Sequence, residues 1–311
     1  MVAQGSIGGG LISSCNLDYS INKFFHNSSS EAHYHDLRLQ PLIYQDDLGR
    51  FCTSVQSAQD GTQKIESYME SKILDLHSDK SCFIVFGSPK TKKETQDELL
   101  ANPIKLYGKP MKEKQKEKYL GDFIHSDGNA ASITVTVNDR YGRILDGAFE
   151  IRQVVENSRS KQIGGLKAGI QLWETAYIPS LLNNCKTWVE IPKATVTKLE
   201  ELQNLFFRIL LSAPRSTPKP ALIWEMGGRK MKWRIIQEKL IYMNHILHLD
   251  QSSLARQVQE IQERENLPGL TQECKIQISK LNLPNLFELK HGRNMLKRLS
   301  RMLMRKKYLK Q

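Results

Sequence analysis

Two adjacent carboxylates, Asp46 and Asp47, follow the apolar run PLIY of residues 41–44. Neighbouring negative charges repel each other, and a divalent cation removes that cost. Mg²⁺ prefers one or two carboxylates together with water and substrate phosphates, and two such ions can clamp both oxygens of a phosphoryl transfer. Asp is also frequent in plain turns, where its side chain bonds nearby backbone. The pair alone therefore leaves a metal site and a turn as alternatives.

Extended segments flank the two carboxylates. Residues 37–44 (LRLQPLIY) and 48–55 (LGRFCTSV) are rich in apolar and β-branched side chains, with a short polar turn between them. This is the pattern of a β-hairpin. Pro41 favours an edge position or the start of its strand, since proline cannot donate to a sheet. We therefore predict a hairpin with Asp46 and Asp47 at its tip.

The rest of the first 128 residues predicts helices mixed with short strands. Apolar residues recur at helical spacing from Leu11 to Phe25 and again over residues 57–76. The second helix has five predicted core residues, namely Ile65, Tyr68, Met69, Ile73 and Leu76. Residues 82–87 (CFIVFG) read as a short buried strand, and residues 118–128 (KYLGDFIHSDG) as a strand and turn. This order of elements predicts an α+β fold.

Beyond residue 128 the pattern becomes mainly helical. Residues 197–212 and 233–249 each carry a broad apolar face, and the proline-rich stretch 213–220 separates them. The tail, residues 292–311, is amphipathic and strongly basic, which fits a solvated helix, a membrane-surface helix or a phosphate-binding helix. The four tryptophans are expected mostly in the core, with base or sugar stacking as the minority role. They are Trp173, Trp188, Trp224 and Trp233.

The charge of the 311-residue chain is distributed unevenly. The net charge is +12, but residues 1–85 carry −4 and residues 86–311 carry +16. A basic surface beside an acidic region suggests a polyanionic partner such as nucleic acid, with an acidic membrane or simple solubility as alternatives. The five cysteines are scattered without metal-binding spacing, and no signal peptide or membrane span is apparent, so we expect an intracellular protein.

Several segments, in their order along the chain, resemble the blocks of reverse transcriptases. The unit Tyr44-Gln45-Asp46-Asp47-Leu48 resembles the Y/F-x-D-D motif, residues 2–14 the Q-G motif, residues 76–87 the following Lys-and-strand block, and residues 118–122 the Y-L-G primer grip. Residues 181–191 and 221–243 resemble the thumb and post-thumb regions of LINE-type, non-LTR retrotransposon enzymes. The resemblance covers nearly the whole chain.

This resemblance implies an architecture and an activity. Residues 1–127 would form the C-terminal half of a polymerase palm, a small antiparallel sheet with packed helices, and residues 128–311 a mostly helical thumb and post-thumb region. The complete enzyme would be an RNA-directed DNA polymerase that extends a DNA 3′-OH on an RNA template. It would use dNTPs and Mg²⁺, with Mn²⁺ as a possible substitute. Basic residues after residue 86 would hold template–primer phosphates.

The resemblance also implies roles in metal and nucleotide binding. Asp46 matches the metal-binding Asp of the motif, and Asp47 is its supporting ligand. Gln4 and Gly5 match residues that line the nucleotide and template pocket, and Tyr44 joins this group. Glycine at such a place lets the backbone approach a nucleotide closely.

Further matches concern the leaving group and the primer. Lys80 matches a lysine that protonates the pyrophosphate leaving group, with a solvated loop lysine as the alternative. Tyr119, Leu120 and Gly121 match the primer grip, with an ordinary strand end as the alternative.

The sequence departs from the family in two places. The family needs another Asp, on a strand well upstream of the Q-G motif, and this chain begins three residues before Gln4. Residues 6–10 (SIGGG) also replace a proline-containing stretch. Without the fingers and the upstream Asp, we expect the chain to be inactive alone, because positioning and charge stabilisation supply most phosphoryl-transfer catalysis.

Two other hypotheses follow from these departures. The chain could be a non-catalytic nucleic-acid-binding remnant of a retrotransposon protein, or a product that does not fold stably because half a palm sheet leaves open edges. The run LKRLSRMLMRKK in the tail also resembles a nuclear-import patch. We therefore expect a location in the nucleus or in a cytoplasmic ribonucleoprotein.

Overall fold

The computed structural model describes residues 32–39, 41–44, 47–159 and 165–281. The predicted helix from Leu11 to Phe25, the candidate residues Gln4, Gly5 and Asp46, and the basic tail all lie outside these residues. The chain divides into two compact units. We call residues up to Tyr119 together with Ile124–Asp127 the N-terminal unit, and Leu120–Phe123 together with the residues from Gly128 onward the C-terminal unit. The assignment of these units to a palm and a thumb stays a prediction.

The described strands are short and form five separate pairs. They are β1 (His33–Tyr34) with β2 (Leu37–Arg38), β3 (Leu42–Tyr44) with β4 (Asp47–Gly49), β5 (Cys82–Phe83) with β8 (Lys112–Glu113), β6 (Lys105–Leu106) with β7 (Lys109–Pro110), and β9 (Lys116–Tyr119) with β10 (Asp122–His125). The β5–β8 pair is parallel. The α+β class is therefore confirmed, while the expected palm sheet stays a proposal.

The predicted hairpin is present, with shorter strands than expected. Tyr44 pairs with Asp47 at the end of the hairpin. The prediction of a strand over residues 48–55 is wrong beyond Gly49. There the chain turns into a helix whose N-cap is Ser54, because the Ser54 hydroxyl accepts a hydrogen bond from the Ser57 N–H (3.0 Å).

In the described part of the N-terminal unit, two helices accompany the strands, α1 (Val55–Ser71) and α2 (Pro89–Ala101). Helix α1 buries Ile65, Tyr68 and Met69 as predicted. The prediction that Ile73 belongs to the buried face of this helix is wrong. The helix has already ended before Ile73, and the Ile73 side chain is 95% exposed. Helix α2 was not predicted from the apolar pattern because no residue in it is buried. Its caps were the available clue, with Ser88 at the N-cap and proline next to it.

The part of the C-terminal unit that the structure describes is mainly helical, as predicted. They are α3 (Asn129–Arg159), α4 (Gly165–Leu172), a π-helical turn (Trp173–Tyr177), α5 (Ile178–Leu181), a 3-10 turn (Cys185–Thr187), α6 (Lys193–Leu211), α7 (Lys219–Glu225), α8 (Met231–Leu247), α9 (Leu254–Arg264) and α10 (Leu270–Leu281). Within the described ranges, no helix has the length and apolar character needed to cross a membrane.

Trp173 lies at the centre of the C-terminal unit and is completely buried. Its ring stacks on Phe206 with centroids 4.3 Å apart and meets the edge of Phe207 at 5.8 Å. Helices α3, α5, α6, α7 and α8 contribute the surrounding apolar side chains. A second cluster, around Met243 and Cys274, joins α8 to α10. The described helices therefore enclose two apolar clusters, a larger one around Trp173 and a smaller one between α8 and α10.

Candidate nucleic-acid interface

The β3–β4 hairpin presents its predicted functional residues to solvent. Asp47 is exposed in β4 directly opposite Tyr44, whose side chain is 54% exposed. Exposed acidic and aromatic side chains at a turn do not contribute to core packing, so they are available to bind a ligand. Asp46, the other predicted metal ligand, lies outside the described residues.

Tyr119 of the predicted primer grip packs against this hairpin, although the two are far apart in sequence. The end of the phenol ring lies 3.8 Å from the point where Gly49 would carry a Cβ, which is van der Waals contact. Burial raises the pKa of Tyr119, and the negative charge of Asp47 raises it further. The fold thus brings together two segments whose motifs point to one site.

Strand β9 places Tyr119 and its lysines on opposite faces. Lys116 and Lys118 are exposed, whereas Glu117 and Tyr119 are partly buried. This alternation follows from the two-residue period of a strand. Glu117 forms an ion pair with Lys114, and this contact lowers the pKa of the Glu117 carboxyl. Two lysine side chains therefore lie on the exposed face of the strand that leads into the predicted primer grip.

Leu120 and Gly121, the other two residues of the predicted primer grip, belong to the C-terminal unit and form a tight turn. Their φ angles are 49° and 87°, so both adopt left-handed conformations. Glycine does so without strain, whereas leucine requires support from its surroundings. The Asn184 side chain supplies part of that support by donating a hydrogen bond to the Leu120 carbonyl oxygen (3.3 Å).

A buried arginine that was not among the predicted site residues anchors the same turn. Arg140, 3% exposed, donates hydrogen bonds to the carbonyl oxygens of Gly121 (2.8 Å) and Asn183 (2.8 Å) and forms an ion pair with Asp122. Its guanidinium also lies 5.9 Å from the ring centre of Trp188. The clue in the sequence was periodicity, since Arg140 falls on the buried face of α3 among apolar residues.

Lys80 remains separate from these residues. It lies exposed in a turn, where its backbone N–H donates to the His77 carbonyl oxygen (3.1 Å). Within residues 47–159, no hydrogen bond or ion pair connects the Lys80 side chain to Asp47 or Tyr119. The proton-transfer role of Lys80 stays a prediction, with a solvated loop lysine as the alternative.

The described residues do not assemble a complete metal centre. In the part of the chain that the structure describes, no group of three or more His, Cys, Asp or Glu side chains converges as a metal site would require. The hairpin contributes one described carboxylate, that of Asp47. Asp46 lies outside the described residues, so the metal-binding role of the pair stays a prediction.

Comparison with known proteins gives no match: no family model fits the chain, and neither a curated protein nor a solved structure is similar enough to count. The family stays a proposal based on the motifs.

Proposed function

We propose that the chain is the template–primer-binding part of an RNA-directed DNA polymerase of the non-LTR retrotransposon type. One observation carries the proposal: Tyr119 contacts the Asp47 hairpin. The order of the sequence motifs assigns these two segments to one polymerase site, independently of the fold. If the sequence resemblance were due to chance, there would be no reason to expect these two segments to be in contact.

Different residues would contribute differently to the binding of a primer end. The Leu120-Gly121 turn would accept the primer backbone, because glycine leaves space and Arg140 fixes the turn. Tyr119 would pack against the hairpin and hold it in position. Lys116 and Lys118 would attract phosphates. Asp47 would hold a magnesium ion, which when bound supplies charge neutralisation for nucleotidyl transfer.

A second candidate function is nucleic-acid binding without catalysis. It is favoured by the net charge of +16 over residues 86–311, since a basic surface can bind a nucleic-acid strand without any metal pair. The two candidates differ in one measurable respect, which is whether nucleotides are incorporated.

The first experiment measures binding of an RNA–DNA hybrid with a recessed primer end, by fluorescence anisotropy at salt concentrations between about 50 and 200 mM. We expect the logarithm of the association constant to fall linearly with the logarithm of salt concentration, because each neutralised phosphate releases counterions. Binding that is absent, or independent of salt, would contradict both candidate functions.

The second experiment separates the candidates in a longer protein that includes the upstream strand with the additional Asp. The polymerase proposal predicts that Asp47→Asn reduces primer extension by about a hundredfold or more, while hybrid binding remains. A matched control is Asp60→Asn, an i,i+4 partner of Gln56 on the surface of α1. Undiminished extension by the Asp47 variant would remove the metal assignment and favour non-catalytic binding.

A further inference from the structure

Trp224 is the most exposed of the four tryptophans. It is 74% exposed, whereas Trp173 and Trp188 are buried and Trp233 is half-buried. A single exposed apolar side chain is ordinary at a protein surface, so exposure alone assigns no role. The residues around Trp224 in the fold indicate what the ring is available for.

Helix α7 holds the indole outward because the opposite face of the helix is fixed in the core. Leu222, Ile223 and the C-cap residue Met226 are buried in the large apolar cluster of the C-terminal unit. Ala221, about one helical turn before Trp224, is exposed like Trp224 itself, as the helical period requires. Core packing therefore anchors the backbone that carries the ring, while the ring faces solvent.

The proline-rich loop before α7, residues 213–218, is also held in one arrangement. The Arg208 guanidinium in the last turn of α6 donates three hydrogen bonds to backbone carbonyl oxygens of this loop. The acceptors are Pro214 (2.8 Å), Arg215 (2.9 Å) and Thr217 (2.9 Å). A surface arranged in advance loses less conformational freedom when a ligand binds to it.

Two cationic side chains belong to the same loop and helix. Arg215 and Lys219 are exposed, and neither forms an ion pair within the part of the chain that the structure describes. Lys219 is the first residue of α7, so its Cα lies about 7.5 Å from that of Trp224 along the helix axis. Residues 213–225 contain a single acidic residue, Glu225. The loop and helix therefore combine an aromatic ring with an excess of positive charge, which complements a polyanion.

An aromatic ring and exposed cations together favour one class of polyanion. A nucleic-acid base has a π-face that stacks on an indole, and its phosphates pair with arginine and lysine. Neighbouring base pairs cover both faces of a base inside a duplex, so an unpaired base is the one free to stack on the ring. Within α7, all of which the structure describes, the other exposed apolar residues are Pro220 and Ala221. Both are small, whereas a protein-docking face would need a wider apolar patch.

We propose that Trp224 is a stacking platform for an unpaired base of single-stranded nucleic acid, with Arg215 and Lys219 binding the adjacent phosphates. The strand is the unpaired template ahead of the primer end, and that choice of strand rests on the proposed function. Stacking on the indole itself requires no metal ion and no catalysis.

The test measures binding of a thymidine oligonucleotide of about 12 nucleotides by fluorescence anisotropy. Trp224→Ala should weaken binding by about five- to hundredfold, because one stacking contact is lost. Trp224→Phe should stay within about threefold of the unchanged chain, because phenylalanine keeps a stacking ring. Arg215→Gln and Lys219→Gln should each reduce the salt slope by about 0.7. Lys275→Gln is the matched control, since it removes a charge that is already paired with Glu263 at 2.6 Å, and its affinity should change less than about twofold.

Inorganic polyphosphate separates stacking from charge, because it carries phosphates without bases. The Trp224→Ala variant should bind polyphosphate as the unchanged chain does, whereas the Arg215 and Lys219 variants should bind it more weakly. If Trp224→Ala and the unchanged chain bind the oligonucleotide equally well, the platform is refuted. Equal losses for oligonucleotide and polyphosphate would refute it too, since the ring would then act through the fold and not through a base.

Oxidation by N-bromosuccinimide followed by mass spectrometry provides a readout that requires no variant. The exposed indole of Trp224 should react faster than buried Trp173 and Trp188. Saturating oligonucleotide should protect Trp224, and polyphosphate should not. Oxidation of Trp224 at the same rate with and without oligonucleotide would contradict stacking.

Two RNA–DNA hybrids distinguish failure of the platform from failure of the proposed function. Trp224→Ala should weaken binding of a hybrid with a single-stranded template overhang and leave binding of a blunt hybrid unchanged. If the unchanged chain binds both hybrids and Trp224→Ala has no effect on either, the platform is refuted while the proposed function stands. If the unchanged chain binds the oligonucleotide through Trp224 but binds neither hybrid, the proposed function fails while the platform stands.

Discussion

The two units of the chain differ in the size of their described buried cores. In the described part of the N-terminal unit, the buried apolar cluster consists of Ile65, Tyr68 and Met69 of one helix, with Leu48 and Leu76 packed against it. The C-terminal unit has a continuous core around Trp173 to which five helices contribute. Two-stranded sheets are marginal by themselves, so the strands that carry Asp47 depend on α1 for their position.

This difference bears on function because binding segments are usually drawn from the less stable parts of a protein. The Asp47 hairpin and Tyr119 lie in the unit with the smaller described core, whereas the Leu120-Gly121 turn is fixed by buried Arg140 in the larger one.

Cysteine reactivity should distinguish the two units most strongly. Burial raises the pKa of both Cys185 and Cys274 to about 12, whereas Cys52 in the N-terminal unit is exposed. The thiolate is the reactive form, so alkylation near neutral pH should label Cys52 about a thousandfold faster than the two buried thiols. Peptide mass spectrometry after timed iodoacetamide treatment measures this. Equal labelling in the folded protein would mean that the helical core is open.

Trp173→Ala should strongly destabilise the C-terminal unit. It removes a fully buried ring that stacks on Phe206, so we expect a loss of about 3–5 kcal/mol in the free energy of unfolding. Urea denaturation followed by circular dichroism measures it. The matched control is Trp224→Ala, since Trp224 is 74% exposed and its loss should cost less than about 0.5 kcal/mol. Similar costs at both positions would contradict the described core.

Arg140→Ala should destabilise the C-terminal unit by about 2–4 kcal/mol, because it leaves three carbonyl oxygens and the Asp122 carboxylate without their donor. Arg143→Ala on the same helix removes an exposed i,i+4 pair with Asp139 and should cost about 0.3–0.5 kcal/mol. The same denaturation measurement serves for both. If Arg140→Lys is as stable as the unchanged chain, the geometry of the guanidinium is unimportant.

The carboxyl groups of Glu117 and Glu200 should make small contributions of opposite sign to the pH dependence of stability. The ion pair with Lys114 lowers the pKa of Glu117 below 4.5, so its stabilisation is present above that pH and is lost as the pH falls. Burial raises the pKa of Glu200 above 4.5, so ionisation costs stability as the pH rises through the raised value. Relative to the unchanged chain, Glu117→Gln should therefore lose stability with rising pH, and Glu200→Gln should gain it. Thermal melts between acidic and neutral pH measure both differences, and parallel profiles would contradict the assigned causes.

Local patterns in the sequence were sufficient to predict several elements. Periodicity and turn residues predict the β3–β4 hairpin, the Tyr119 strand and turn, and the helical character of the described residues after 128. The core face of α1 was also predicted up to Met69. The prediction that Ile73 is buried was wrong, because helical periodicity does not reveal where a helix ends.

The remaining features depend on contacts between distant segments. The parallel pairing of Cys82–Phe83 with Lys112–Glu113 and the contact of Tyr119 with Gly49 leave no trace in local periodicity. The Arg140 anchor is a polar residue on an apolar face, which signals a buried polar contact but does not identify the partners. The position of Trp224 on the surface likewise depends on which face of a short helix packs inward.

Photo-crosslinking of the primer end tests the proposed function most directly. A hybrid that carries 4-thiothymidine at the recessed primer 3′ end is bound, irradiated and digested, and the crosslinked peptides are identified by mass spectrometry. The proposal predicts crosslinks in the segments that contain residues 47–49 and 119–121, and their loss at high salt. Crosslinks found solely in other segments, such as α9 and α10, would contradict it.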